Sequence, residues 1–159
     1  MTYLLRFSKR DTGGVPSLWG TSPRASVEAE CERRGRQAVV GGCIEILQRI
    51  AVDDSLLMAL AGPAAQQVLD GYEGGRDGYW PRVWAVRGLL HVWDDVAASS
   101  VVDATMDESW RVREMAAKVI ARHGVGDGLE AVVRLQADPV ARVRTAATRA
   151  TEVLVAQLA

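Results

Sequence analysis

Between residues 79 and 157 the chain repeats an apolar stripe at helical spacing. The stretch "MDESWRVREMAAKV" (106–119) is echoed by "ADPVARVRTAATRA" (137–150). Val112, Met115 and Val119 in the first, and Val143, Ala146 and Ala150 in the second, stand three and then four residues apart. Each set therefore forms one stripe along a helix. Val83, Val86 and Leu90 in "PRVWAVRGLLHVW" give a third set. A helix with a single apolar stripe cannot bury it alone, so copies stacked side by side must complete the core.

The pattern predicts helices at about 80–93, 95–106, 109–123, 128–137 and 139–157. The stops between them are short: Asp94-Asp95, Asp107-Glu108, "HGVGDG" and Asp138-Pro139. Helices joined by such links pack antiparallel as hairpins. Asp138 is expected to cap a helix that starts at Pro139, because the carboxylate accepts from free N–H groups and proline has no donor to lose. Asp107 is assigned the same capping role in the preceding unit. The two aspartates are 31 residues apart (138 − 107), and Arg111, Val112, Arg113 and Met115-Ala116 match Arg142, Val143, Arg144 and Ala146-Ala147. Val83 stands 29 residues before Val112 (112 − 83), with Trp84 in place of the arginine and Arg87 in place of a small residue.

Upstream the pattern is looser. "TYLLRF" (2–7) suits a short strand or an ordered arm, and "SKRDTGGVPSLWGTSP" (8–23) reads as a loop. Ser22-Pro23 has the form of an N-cap followed by a first-turn proline. "RASVEAECERRGRQAVVGGCIEILQRIA" reads as helix interrupted near Gly35 or Gly41-Gly42, and "DDSLLMALAGPAAQQVLDG" as two short helices split at Gly62-Pro63. "YEGGRDG" (72–78) is a flexible break. The expected organisation is an arm and loop at 1–22 and one α-helical domain at 23–159. Its clear units lie at about 79–123 and 124–159, with degenerate units before 79.

The stretch "GDGLEAVVRLQADPVARVRTAATRATEVL" (126–154) resembles a HEAT-like repeat, in the short bacterial form also found in phycobilin lyase subunits. That pattern runs helix, Asp-Pro, then a second helix beginning Val-Arg-x-x-Ala-Ala; Asp138, Pro139, Val143, Arg144, Ala146 and Ala147 match it. Asp107, Val112, Arg113 and Ala116 follow it in the preceding unit, with Glu108 in place of proline. The resemblance is close over about 95–157, weaker back to 79, compositional over 23–70 and missing from 1–22. It implies an all-α fold, a right-handed α-α superhelix of antiparallel helix pairs. It also implies that Asp107, Asp138, Arg113 and Arg144 form a ladder linking adjacent repeats.

At 159 residues the chain suits one domain, and 48% hydrophobic with 25% charged residues is a globular composition. No window approaches the roughly 18 apolar residues of a membrane helix. The start lacks the basic and apolar pattern of a secretory signal. Cys31 and Cys43 are the only cysteines, which fits a reducing cytoplasm. The net charge of −1 does not mark a nucleic-acid binder. Lys9 and Lys118 are the only lysines; the arginine bias reflects either bidentate recognition or GC-rich coding.

Candidate chemistry is sparse. His91 and His123 belong to no cluster with metal-ligand spacing, so no metal or cofactor is expected. Gly13-Gly14 and Gly41-Gly42 lack the ending of a phosphate loop and suit a turn and close helix packing. Asp94-Asp95 reads as a helix cap rather than a carboxylate pair, and no residue set reads as catalytic.

The candidate binding surface is Trp80, Arg82, Trp84, Trp110, Arg111 and Arg142, because aromatic and arginine side chains dominate binding hot spots. The competing reading places the tryptophans in the core and the arginines in ladders. The expected function is a non-catalytic scaffold that binds another protein or peptide on the face of a solenoid. The alternative is nucleic-acid binding, since alkylpurine DNA glycosylases built from HEAT-like repeats are similar in architecture and in Arg/Trp content. "HVWDDVA" supplies Trp93-Asp94-Asp95 but not that family's catalytic arrangement. A lyase-like or chaperone-like subunit is a second alternative suggested by the repeat type. Residues 76–159 hold eleven acidic and eleven basic side chains, so a basic face requires an acidic one elsewhere. The apolar end "VLVAQLA" admits a homodimer contact.

Overall fold

The computed structural model describes residues 20–159. The expectations for the arm, the loop up to residue 19 and Gly13-Gly14 therefore lie outside the described residues. Among those residues the fold is all-α. The helices are α1 (Pro23–Arg34), α2 (Arg36–Leu47), α3 (Asp54–Ala61), α4 (Pro63–Leu69), α5 (Trp80–Gly88), α6 (Ala98–Ala104), α7 (Trp110–His123), α8 (Leu129–Leu135) and α9 (Ala141–Gln157). Single tight helical turns lie at Asp95–Ala97 and Gly126–Gly128, and a kinked, partly helical segment at Tyr72–Asp77.

Local sequence accounts for the boundaries. Ser22 Oγ accepts from Ala25 N at 3.1 Å, and Pro23 occupies the first turn of α1. Of the two glycine sites proposed as a break, only Gly35 is one: its φ of 94° ends α1, whereas Gly41 and Gly42 lie inside α2. Gly42 is there for closeness, since a Cβ would come within 2.4 Å of Leu56 Cδ2. Gly62, at φ 62°, separates α3 from α4. In the 72–78 segment, Glu73, Gly74 and Gly75 all have positive φ.

The downstream helices are shorter than their apolar pattern predicts. Helix α9 starts at Ala141, so Pro139 lies outside it and Asp138 is not its N-cap. Instead Asp138 Oδ1 accepts from Val140 N at 2.9 Å, and Asp107 Oδ1 accepts from Ser109 N at 2.8 Å. Each aspartate folds the link into a turn of the Asx type, one step before the helix. The 95–106 helix likewise begins only at Ala98, because Asp94 caps a separate turn by accepting from Val96 N at 3.0 Å.

Helices α5, α7 and α9 lie side by side and parallel. Arg111 at the start of α7 reaches Tyr79 and Trp80 at the start of α5, while His123 at the end of α7 meets Leu89 just beyond α5. Arg142 on α9 meets Trp110 and Glu114 near the start of α7, and Gln157 lies against Gly124 at its end. The short helices α6 and α8 return the chain between them, packing on α7 and α9 respectively. The result is two helix hairpins whose longer members share a layer with α5.

A ladder of ion pairs ties these units together. Arg82 Nε lies 2.7 Å from Asp107 Oδ2, and Arg113 Nε lies 2.7 Å from Asp138 Oδ2; each pair is bidentate. Arg82 also donates to Gly78 O, Arg113 to Asp107 O, and Arg144 to Asp138 O. The three arginines stand 31 residues apart (113 − 82 and 144 − 113). The upstream copy is therefore in strict register, and aligning it on Val83 at a spacing of 29 is a two-residue slip. Pro81, not Val83, is the counterpart of Val112. Both aspartates and Arg82 are almost fully buried, which makes good pairing obligatory.

One contiguous apolar cluster runs from Val27 through Leu56, Leu60 and Leu89 to Ile120, Val143 and Leu154. The upstream helices attach to the layer through it and through specific polar links. Arg36 donates to Trp93 O, Gln48 Nε2 to Ser100 Oγ at 3.0 Å, and Arg87 to Leu60 O at 2.7 Å. Gly88 permits close approach of α5, where a Cβ would meet Leu60 Cδ2 at 2.6 Å.

Candidate functional site

The residues expected to form a binding surface divide into two groups. Arg82 is 3% exposed and Trp84 is 2% exposed, so neither is available to a partner. The physical reason for Arg82 is the ladder: its fork faces Asp107 inside the layer. Trp84 turns inward because it occupies the same register as the apolar Met115 and Ala146 (84 + 31 and 115 + 31). Its ring stacks on Trp80 at 5.7 Å. Both belong to the structural set with Asp107, Arg113, Asp138 and Arg144.

The other four form a stack across the helix starts. Trp80, Arg111 and Arg142 share one register position, and Tyr79 and Trp110 share the preceding one. The Arg111 guanidinium lies 5.3 Å from the Tyr79 ring, 5.5 Å from Trp80 and 4.6 Å from Trp110. Arg142 covers Trp110 at 5.6 Å. Cations and rings thus alternate from α5 to α9, each contact worth about 0.5–1 kcal/mol where exposed. The rings and guanidinium faces are engaged with one another, so this row acts partly as a second ladder.

The open surface lies further along the same layer. A groove of ≈ 780 Å³ runs between α7 and α9. Leu90, Ala121, Ala146 and Val153 supply apolar lining; Lys118 and Arg122 from α7 and Arg142 and Arg149 from α9 supply cations. Glu114 is the one carboxylate among the described residues that line it; its Oε1 accepts from Arg142 and lies 3.0 Å from Lys118 Nζ. Among the described residues neither Arg122 nor Arg149 meets a carboxylate.

A second groove, of ≈ 960 Å³, adjoins the first through Leu90 and Arg122. Arg24, Arg36, His91, Trp93 and His123 line it together with Glu28 and Glu32. His123 stacks on Trp93 at 4.4 Å and its Nε2–H donates to Leu89 O at 2.7 Å. Trp93 Nε1 donates to Asp95 Oδ1. Burial first, then the nearby Arg87 and Arg24, hold the His91 imidazolium below its ordinary range. Burial also lowers His123, with Arg122 and Arg36 adding to the effect and the bond to Leu89 opposing it. At His91 the arginines oppose the pull of Glu28, at His123 they oppose that of Asp95, and among the described residues neither ring hydrogen-bonds a carboxylate.

Charge is sorted by helix. Helices α7 and α9 carry Arg111, Arg113, Lys118, Arg122, Arg142, Arg144 and Arg149 against Glu114 and Glu152. The acidic residues of this half sit instead on α6, α8 and the links, as Asp94, Asp95, Asp103, Asp127 and Glu130 do. Balance over the whole half therefore conceals a basic layer. Lys118, Arg122, Arg149 and His123 do not stand out as a surface in the sequence; the signal that finds them is charge counted per helix.

No group of three or more His, Cys, Asp or Glu able to hold a metal occurs among the described residues. Cys43 is fully buried, and burial pushes its thiol up to about 12. No helix of the described residues is long and apolar enough to cross a membrane. Comparison with protein-family models, curated proteins and solved structures finds no match to this chain.

Proposed function

We propose that this protein is a non-catalytic interaction module, a short HEAT-like right-handed superhelix of antiparallel helix pairs that binds another protein on its α5/α7/α9 layer. The repeat reading rests on three arginines at a spacing of 31 that each secure the link before their own helix, two of them also pairing with the next aspartate. The functional reading rests above all on the α7/α9 groove. It combines an apolar floor with Arg122 and Arg149, which meet no carboxylate among the described residues, and those are the ingredients of a protein contact surface.

Site-directed photo-cross-linking in cells that express the protein tests this. A photoreactive side chain at Arg149 is expected to capture a protein, while one at the exposed Val133 on α8 is not. Equal capture at both positions, or capture of nucleic acid alone, contradicts the reading.

A second reading is nucleic-acid binding, favoured by seven cations against two carboxylates on α7 and α9. Phosphate contacts would make duplex binding fall steeply with salt. Tryptophan fluorescence through a salt series separates the two: retained duplex binding near physiological salt supports this second reading, and its absence supports a protein partner.

A further inference from the structure

We infer that the groove between α7 and α9 accepts an acidic amphipathic helix, its apolar stripe on the groove floor and its carboxylates between the two cation rows. This rests on the proposed reading of the layer as a protein-binding surface and names the chemistry of the partner.

The geometry follows from helix dimensions. Lys118 and Arg122 are four residues apart on α7, about 6 Å along its axis, and Arg142 and Arg149 are seven apart on α9, about 10 Å. The helices are parallel, so the two rows run in the same direction along opposite sides of the groove. A spacing of four on a third helix rises by the α7 step and a spacing of seven by the α9 step. Acidic residues on one flank of its apolar stripe can therefore face Lys118 and Arg122, and those on the other flank Arg142 and Arg149. The floor suits close approach: Ala121 and Ala146 are small, and Leu90 and Val153 offer apolar surface to a leucine or alanine stripe. A helix in a groove between helices is a recurring recognition mode.

Charge decides the sign of the partner. Glu114 compensates one cation from each row, Lys118 and Arg142, and leaves Arg122 and Arg149 over. A cationic helix would add repulsion to this excess, while an acidic one neutralises it and gains speed of association. Composition decides against a phosphate backbone. Among the described residues the lining of this groove has no aromatic ring on which a base could stack, and Trp110 alongside is occupied by Arg111 and Arg142. The apolar floor would gain nothing from a sugar-phosphate chain.

Fluorescence anisotropy tests the inference with a labelled designed peptide of about 18 residues, long enough to be helical in water. It carries a Leu/Ala stripe flanked by glutamate at i, i+4 spacing. The comparison probes are the same stripe flanked by lysine, a polyglutamate of equal charge and a single-stranded DNA of equal charge. Binding of the acidic helix, weakened by salt and at least about tenfold weaker for the R122E/R149E variant, is the expected result. Both arginines are exposed, so the variant is expected to melt with the parent; if it does not, R122Q/R149Q replaces it with a severalfold loss. The inference is overturned if the acidic helix fails to bind, if the lysine-flanked helix binds as well, or if charge reversal changes nothing. Preference for the lysine-flanked helix leaves the protein-binding reading standing, whereas DNA binding tighter than either peptide removes that reading too.

Discussion

Residues 79–159 and residues 20–78 are both helical and share one core, yet they are held by different means. The downstream half repeats one device at fixed spacing: an arginine that holds its own link and, at positions 82 and 113, grips the next, buried aspartate. The upstream half has no such period. Its charged cluster is local, with Glu30 accepting from Arg33 and Arg34 on the same helix and Arg34 reaching Asp53, which caps α3. Its helices pack through glycine gaps filled by leucine, as at Gly42 with Leu56. A periodic ladder fixes register over a long stretch, whereas an irregular cluster fixes only the corner it occupies.

The sharpest way to break this contrast is to cut equivalent pairs in the two halves. Arg113→Met leaves Asp138 buried without its partner and is expected to cost about 3–5 kcal/mol. Arg76→Met acts on an upstream pair with Asp54 whose side chains are 46% and 57% exposed, and the expected cost is about 1 kcal/mol or less. Chemical denaturation of both variants checks the difference; similar losses would mean that the ladder is no stronger than a surface cluster.

Gly88→Ala tests the joint between the halves. Its methyl meets a fully buried Leu60, so overpacking of about 1–3 kcal/mol is expected, read from the denaturation midpoint.

The pH dependence sharpens the comparison further. The hydrogen bond from Arg113 holds the Asp138 carboxyl below its ordinary value of 3.8, so the stability it contributes is present above that value and lost as pH falls through the folded value. His91 and His123 are also depressed, from 6.5, so their contribution is complete above that pH and lost as pH drops below it. Thermal melts are therefore expected to show two acid steps, one below pH 6.5 and one below pH 4. Asp138→Asn is expected to diminish only the lower step, at a lower overall stability. Arg111→Ala is expected to cost about 1–2 kcal/mol from three lost ring contacts, measured by the same melts.

Much of the downstream architecture is legible because an apolar stripe at helical spacing and a 31-residue echo each constrain the same helices. The slip at the upstream copy shows where that stops. Val83, Val86 and Leu90 make a good stripe, and alignment on them sets Trp84 against the arginine. The geometry that repeats is polar, and it places Arg82 in the rung and Trp84 in the core. Trp80 and Trp84 are four residues apart in either case, so spacing alone cannot tell a stacked core pair from an exposed platform. The groove is invisible in the sequence because its cations come from two helices whose parallel packing is a tertiary fact. The same holds for His91 and His123, brought to one groove by the ends of α5 and α7.

The most direct test of the register-locked ladder is a double-mutant cycle across Arg82 and Asp107, using Arg82→Met, Asp107→Asn and the pair together. A bidentate pair with both side chains under 10% exposed predicts a coupling of about 2–3 kcal/mol, the double variant losing much less than the sum of the singles. Additivity within about 0.5 kcal/mol would mean that Arg82 and Asp107 do not act on each other, and the 31-residue ladder would end at Arg113.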